Sequence, residues 1–261
     1  MTNSGSVQDG RSPGTGLRAT AVTRAFKGVQ ALDGITLTLE PREVVGLIGP
    51  NGAGKTTLIN LITGFDAPSS GTIELDGQDL TKWGPARRAR AGLARTFQQG
   101  HVFSELSVRE NVELGALGVG ASAGEARRRA EELLARMELT RHSRLPAGQL
   151  PHGEQRKIAV ARALAARPRY VLMDEPAAGL AEHDVAAFAD IVRSVREGYD
   201  AGVLIVDHNM ALIMDVCDRI HVLDQGRTLA SGTPAEIRRN IDVAAAYLGS
   251  SGIKEEPQRD A

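Results

Sequence analysis

One cysteine in 261 residues excludes an internal disulfide and fits a reducing compartment. That residue, Cys217 in "MDVCDRI", reads as a small buried apolar side chain rather than a nucleophile. No apolar run approaches the ~18–20 residues needed to cross a bilayer, so any work at a membrane requires other chains to supply the membrane part. The net charge is only -1, which offers no global basic field for nucleic acid. The first 17 residues, "MTNSGSVQDGRSPGTGL", lack the apolar core of a signal peptide. They read as a disordered tail, and residues 251–261, ending in "KEEPQRDA", as a flexible one. There is no internal repeat and no sustained heptad pattern.

What is present is an ordinary globular composition, 42% hydrophobic and 24% charged, in a chain long enough to bury a real core. "ITLTLE" and "GTIELDG" alternate apolar and polar residues, as half-buried strands do, and Asp76-Gly77 marks a turn after the second. "EVVGLIG", "RYVLMDE" and "GVLIVDH" are instead continuous apolar runs, suited to strands buried on both faces of a parallel sheet. Helical patterns separate them: "KTTLINLIT", "EARRRAEELLARMEL" and "EQRKIAVARALAA". In the middle one Glu125 and Arg129 form a favourable i,i+4 pair, Leu133, Leu134 and Met137 share a face, and the arginine run reads as solvated. Alternating buried strands and helices indicate an α/β fold. Residues 100–165 carry helical pattern without buried strands and are expected to form a helical insertion.

"GPNGAGKTT" comprises Gly49, Pro50, Asn51, Gly52, Ala53, Gly54, Lys55, Thr56 and Thr57. It follows a buried strand and opens a helix, the context that gives G-x-x-x-x-G-K-[ST] its meaning. The glycines let backbone amides converge on phosphate oxygens, and the helix N-terminus adds a favourable dipole. Lys55 would reach the β- and γ-phosphates and the Thr56 hydroxyl would ligate Mg²⁺.

"YVLMDEP" puts Asp174 and Glu175 at a buried strand end, where carboxylates need a metal, a partner or solvent. Asp174 suits a role holding Mg²⁺ through water, and Glu175 that of general base for the attacking water; without the Gly-rich loop they would read as a pair capping the next helix. "LIVDHNM" brings His208 to the same sheet edge, where α/β sheets bind ligands, fitting contact with the γ-phosphate or the attacking water. "ARTFQQ" offers Gln98, either a Mg²⁺ ligand that senses nucleotide or a plain surface glutamine. "QLPHGEQRKIAVARAL" reads as a loop that opens a helix.

With these segments in hand, the chain resembles ATP-binding subunits of ABC transporters over about residues 18–250. The matching segments are "GPNGAGKTT" (Walker A), "RTFQQ" (Q-loop), "LPHGEQ" (signature), "VLMDEP" (Walker B), "AAGLAEHD" (D-loop) and "VDH" (H-loop), in that family's order and spacing. The resemblance implies a P-loop NTPase core with a mixed, mainly parallel sheet, an N-terminal antiparallel β-subdomain and an α-helical insertion. It also implies that Phe26, in "TRAFKGVQAL", stacks on adenine. The signature residues Pro151, His152, Gly153, Glu154 and Gln155 would meet the ATP of an opposite subunit, so that two ATPs lie in a homodimer, or in a heterodimer with a paralogous ATPase.

"ARTFQ", "DEPAAGL" and "GTPAEIRRNIDVAAAYLG" resemble the ATPases of branched-chain amino acid importers, with urea and amide importers and lipopolysaccharide-export ATPases also similar. The resemblance implies a peripheral subunit on the cytoplasmic face of a membrane, multi-span permease partners, a periplasmic-type solute-binding protein acting indirectly, and no nucleic acid. Two positions depart from the family: Ala181 stands where the D-loop usually has Asp, and Pro151 where the signature usually has Ser. A soluble ABC ATPase of DNA repair or translation would carry tandem domains or a long coiled coil, and a GTPase would need "NKxD"; the sequence has neither. A non-catalytic ATP holder is at odds with Lys55, Glu175 and His208 together.

Overall fold

A computed structural model describes residues 16–97, 102–180 and 182–251. Its elements run β1 (Leu17–Phe26), β2 (Val29–Leu39), β3 (Val44–Ile48), α1 (Lys55–Thr63), β4 (Ser70–Leu75), β5 (Gln78–Asp79), α2 (Pro85–Arg90) and β6 (Leu93–Thr96). There follow α3 (Val108–Gly118), α4 (Ala123–Arg136), α5 (His152–Ala165), β7 (Tyr170–Asp174), α6 (Glu182–Tyr199) and β8 (Gly202–Val206). The chain then forms α7 (Met210–Val216), β9 (Arg219–Asp224), β10 (Arg227–Gly232), α8 (Pro234–Arg239) and α9 (Ile241–Ser251).

The strands form two sheets. One has the order β2-β1-β4-β5 and is antiparallel throughout. The other has the order β10-β9-β3-β8-β7-β6, parallel except for the β9–β10 hairpin. The period of two in each strand divides the core. On β3, Val45 and Leu47 face the antiparallel sheet and α1, whereas Val44 and Ile48 face the helices of the other side. The three continuous apolar runs are β3, β7 and β8, and every residue in them is buried. The helix expected over "KTTLINLIT" is α1, wedged between the sheets by Leu58, Ile59, Leu61 and Ile62.

The C-terminal end of α1 has an unusual anchor. Arg88 is 1% exposed, and its Nη1 donates to the carbonyls of Leu61 and Ile62, both at 2.6 Å. Its Nε donates to Trp83 O at 2.9 Å and its Nη2 to Thr81 O at 3.1 Å. A buried guanidinium thus binds carbonyls at the helix end, one of which, Leu61 O, also accepts the Gly64 amide at 3.3 Å.

Of the expected N-terminal tail, Leu17 proves otherwise: it opens β1, pairs with both Leu39 and Leu75, and is fully buried. Residues 1–15 and 252–261, and with them most of the expected tails, lie outside the described residues. Cys217 is buried, with its thiol pushed up by burial, the inert small residue that its setting suggested. The Glu125–Arg129 pair forms at 2.8 Å. Arg127 and Arg128 are solvated, but Arg129 turns inward to the Ala165 carbonyl.

The helical insertion is α3, α4 and α5. A capping box of Ser107 and Glu110 starts α3. Asn111 is completely buried; its Nδ2 donates to Phe103 O at 3.0 Å and Ser107 O at 3.0 Å, fixing the entry loop. At Gly115 α3 touches α5: a Cβ there would lie 1.9 Å from the carbonyl oxygen of Arg162. Because that neighbour is backbone, a methyl group must separate the helices. Gly115→Ala should therefore cost about 1–3 kcal/mol, read as a lowered urea midpoint. Gly118→Ala, where nothing lies within 4 Å, should be neutral or slightly stabilising. Equal midpoints for the two variants would refute this packing argument.

Candidate functional site

Four parallel strands, β3, β8, β7 and β6, release their C-terminal ends on one edge of the sheet. Several of the segments expected to carry chemistry follow those ends: Gly49 after β3, Asp207-His208 after β8 and Glu175 after β7, with Phe97 after β6. This is the edge at which open α/β sheets bind ligands.

The loop from Gly49 to Gly54 is shaped by backbone that only glycine adopts freely. Gly49, Gly52 and Gly54 have φ of 150°, 81° and 102°. A Cβ at Gly49 would lie 2.1 Å from the Leu223 carbonyl oxygen, and one at Gly54 2.6 Å from Leu32 Cδ2. Among the described residues no carbonyl accepts from the amides of Gly52, Gly54, Lys55 or Thr56. They form a row of available donors at the N-terminus of α1, suited to an anion. Lys55 folds back over the loop, its Nζ donating to Gly49 O at 2.6 Å and Pro50 O at 2.9 Å. Burial lowers its pKa, and the charges of Glu175 and Asp174 oppose that shift. Asn51 and Thr56 are exposed beside it; Ala53 is buried and Thr57 half-buried. The phenol of Tyr247 on α9, its pKa pushed up by burial, lies near the Gly49 amide, a neighbour the sequence reading missed because nothing in "AAAYLG" pointed back to the loop.

Asp174 is 6% exposed. Its partner is Arg95 on β6, whose Nη2 donates to Oδ2 at 2.7 Å. The sequence reading of "ARTFQQ" singled out Gln98 and passed over Arg95. Glu175 has a left-handed backbone, φ 46°, rare for a side-chain-bearing residue, pinned by its amide to Val206 O at 2.7 Å. This brings its Oε1 to 3.4 Å from His208 Nε2. Asp207, buried at 4% exposure, was also missed. It accepts from the Asn209 amide at 2.8 Å and the Ala177 amide at 2.7 Å, tying together the turns that carry His208 and Glu175.

Phe26 is 45% exposed beside the two-residue hairpin Lys27-Gly28, and the Arg24 guanidinium lies 4.6 Å from its ring centre. Gln98 and Ala181 lie outside the described residues.

Pro151 is the N-cap of α5, with φ -55° and ψ 153° and no side-chain cap bond. Among the described residues no carbonyl accepts from the amides of His152, Gly153 or Glu154. Gln155 donates its amide to Pro151 O at 3.0 Å and its side chain to Leu150 O at 2.8 Å. Glu154 sits 3.6 Å from Arg141 and 3.5 Å from His142. A Cβ at Gly153 would meet nothing nearer than Leu180 at 3.9 Å. Among the described residues, the hydrogen bonds and ion pairs of Pro151–Gln155 stay away from residues 49–57; the segment presents unused amides without joining the loop of its own chain. One turn further, Arg156 donates to the carbonyls of Pro176 and Ala178, coupling α5 to the chain just past Glu175.

Similarity to known proteins bears on these features directly. The sequence model of the ABC transporter family matches residues 32–178. The chain belongs to the ABC transporter ATP-binding family. It is an ATPase subunit, the motor of a transporter. A second model, described as branched-chain amino acid ATP-binding cassette transporter, matches residues 227–252, the region of β10, α8 and α9.

Among relatives of this ABC ATPase, the high-affinity branched-chain amino acid transport ATP-binding protein BraF of Pseudomonas aeruginosa is 38% identical, over 90% of this chain and 98% of BraF. LivG of Escherichia coli, of the same description, is 39% identical over 87% and 94%. The lipopolysaccharide export ATP-binding protein LptB of Escherichia coli is 37% identical over 89% and 97%. Among solved structures, the ADP conformation of the ATP-binding cassette MJ1267 superposes with a TM-score of 0.81 at 28% identity, over 89% and 98% of the two chains. A dimeric post-hydrolysis state of the cassette MJ0796, bound to ADP and Pi, has a TM-score of 0.74 at 27% identity, over 84% and 98%. These folds agree with the two sheets and helical insertion described above. No helix among the described residues is long and apolar enough to cross a membrane.

Thr56 and Asp174 offer hard oxygen donors. That fits Mg²⁺, which takes one or two protein ligands and completes its shell with phosphates and water. If Glu175 is the base, Glu175→Gln should keep ATP binding and lose ATP turnover by ~10²–10⁴-fold, the span of general-base effects. Steady-state phosphate release measures this. A variant retaining over about a third of wild-type turnover would exclude Glu175 as the base.

Proposed function

We propose that this ATPase powers the import of branched-chain or other hydrophobic amino acids. It acts on the cytoplasmic face of a membrane, paired with a second copy or a paralogue. Multi-span permeases above the pair receive substrate from a periplasmic-type binding protein. The observation that carries the substrate class is the match of residues 227–252 to the branched-chain amino acid cassette model. The ATPase body alone does not discriminate, since LptB is 37% identical.

In this reading the amides of Gly49–Thr57 and the Lys55 ammonium hold the phosphates, and Phe26 stacks on the adenine. Thr56, Asp174 and Gln98 would hold Mg²⁺, which when bound balances phosphate charge. Glu175 takes the proton of the attacking water, and His208, 3.4 Å from it, orients that water and the γ-phosphate. The segment Pro151–Gln155 meets the ATP of the opposite subunit, the dimeric state of MJ0796 lending support. Its uncapped helix N-terminus is the physical reason: donors from His152 onward and a positive dipole end await an anion. Closure of the pair moves the helical insertion against the permeases, and hydrolysis reopens it.

Co-expressed with its permeases and binding protein in vesicles, the chain should drive ATP-dependent uptake of labelled leucine over urea. Urea uptake without leucine uptake would overturn the substrate class. Membrane sedimentation should require the permeases; equal sedimentation without them would count against the coupling.

Pro151 lacks an N–H and a hydroxyl, and one missing hydrogen bond to a charged group is worth ~1.5–3 kcal/mol. The adjacent donors and dipole sustain the contact, so Pro151→Ser should change turnover of the assembled complex by no more than about tenfold. Gly153→Asp has room for its Cβ, with Leu180 at 3.9 Å and the Asp184 carboxylate at 4.0 Å; it sets a negative charge against phosphate and should abolish turnover with at most a small fall in melting temperature. An active Gly153→Asp enzyme would mean that this segment does not meet nucleotide.

A further inference from the structure

Asp174 places its carboxyl group where little solvent reaches it, at 6% exposure. A buried carboxylate requires a countercharge or a proton. The loaded site offers a cation with the nucleotide; the protein alone must supply another.

Arg95 is built for that. It lies on β6 beside β7, in register with Leu172, two residues before Asp174. Its side chain is as enclosed as its partner's, 9% against 8% exposed. Nη2 donates to Asp174 Oδ2 at 2.7 Å and Nη1 to Asn60 Oδ1 on α1, also at 2.7 Å. The guanidinium lies 4.8 Å from the ring centre of Phe97 and 5.6 Å from that of Phe65. Its Nε is buried without a hydrogen-bond partner. One cation therefore bridges the helix after the phosphate loop, the carboxylate at the end of β7 and the aromatic residue that closes β6.

We propose that Arg95 is the counter-ion of Asp174 in the metal-free site and that it competes with the divalent cation for that carboxylate. The inference rests on reading Asp174 as a metal-site residue. A guanidinium keeps its charge in a protein, so relief comes only from moving the side chain. When a divalent cation reaches Asp174, two positive charges share one carboxylate at close range. Each weakens the other's hold, and the coupling is reciprocal. Arg95 touches no reacting atom; it is a positioning residue that sets how strongly the site demands metal. Its contact with Phe97 carries any displacement of the guanidinium into the end of β6, the residue before Gln98.

The test is a Mg²⁺ titration of fluorescent ADP binding to the full chain, with melting temperatures in EDTA alongside. Arg95→Met should lower the Mg²⁺ concentration for half-saturation by roughly three- to tenfold and lower the melting temperature in EDTA, leaving metal-free ADP affinity unchanged. Arg95→Lys, which keeps the charge but not the two-pronged grip, should shift it in the same direction by less and serves if Arg95→Met does not fold. In the wild type, the Arg95 Nε–H resonance should move on adding Mg²⁺ with ADP and stay still with ADP in EDTA. A half-saturation equal to or above wild type in the Arg95 variants, or an unmoved resonance, overturns the proposal. Asp174→Asn separates the two readings. If it keeps wild-type Mg²⁺ dependence, the metal role of Asp174 fails and the counter-ion role with it; if it loses that dependence while Arg95→Met behaves as wild type, the counter-ion role alone fails.

Discussion

The organising constraint is burial of the parallel strands on both faces. With every residue of β3, β7 and β8 enclosed, no polar function can sit along their length without a partner. Chemistry is displaced to the strand ends, and because the strands are parallel, to the same edge. Lys55, Asp174, Glu175 and His208 converge although the chain separates the first and last by most of its length. The antiparallel sheet, α1 and α2 lie on one face and α5, α6, α7, α8 and α9 on the other, so the edge is the open side.

Much of this could be read from the sequence because it is written in local signals. Continuous apolar runs gave the three central strands, and a Gly-rich loop between strand and helix gave the site its centre. What escaped was non-local. Arg95 is one arginine among many until β6 pairs with β7 and sets it against Asp174. Asp207 looks like a spacer before His208, yet its two carboxylate oxygens hold two separate turns. The short strand β6 has only four residues, too few to show a period. Composition places Leu17 in a tail, but its strand partners come from residues 39 and 75.

The left-handed backbone at Glu175 and the uncapped start of α5 are rule-breaking choices by local propensity. A side-chain-bearing residue with φ 46° is strained, and a proline N-cap contributes no side-chain bond. Neither device is confined to the site: left-handed backbone also occurs at Lys27, Asp76 and Gln225 in hairpin turns, and α2 too starts without a side-chain cap. Side-chain caps are present at Ser107, Ser122, Asn209 and Thr233.

Arg88 gives α1 a further property. The helix is nine residues long, and its carbonyl end rests on a fixed, enclosed cation. Its amide end faces the phosphate loop. An anion arriving there meets a rod whose far pole is already matched, so the polarisation that would otherwise accompany binding is in place before the ligand comes. The electrostatic reorganisation belongs to folding rather than to each turnover, and a helix too short to be stable alone becomes a rigid receptor for charge.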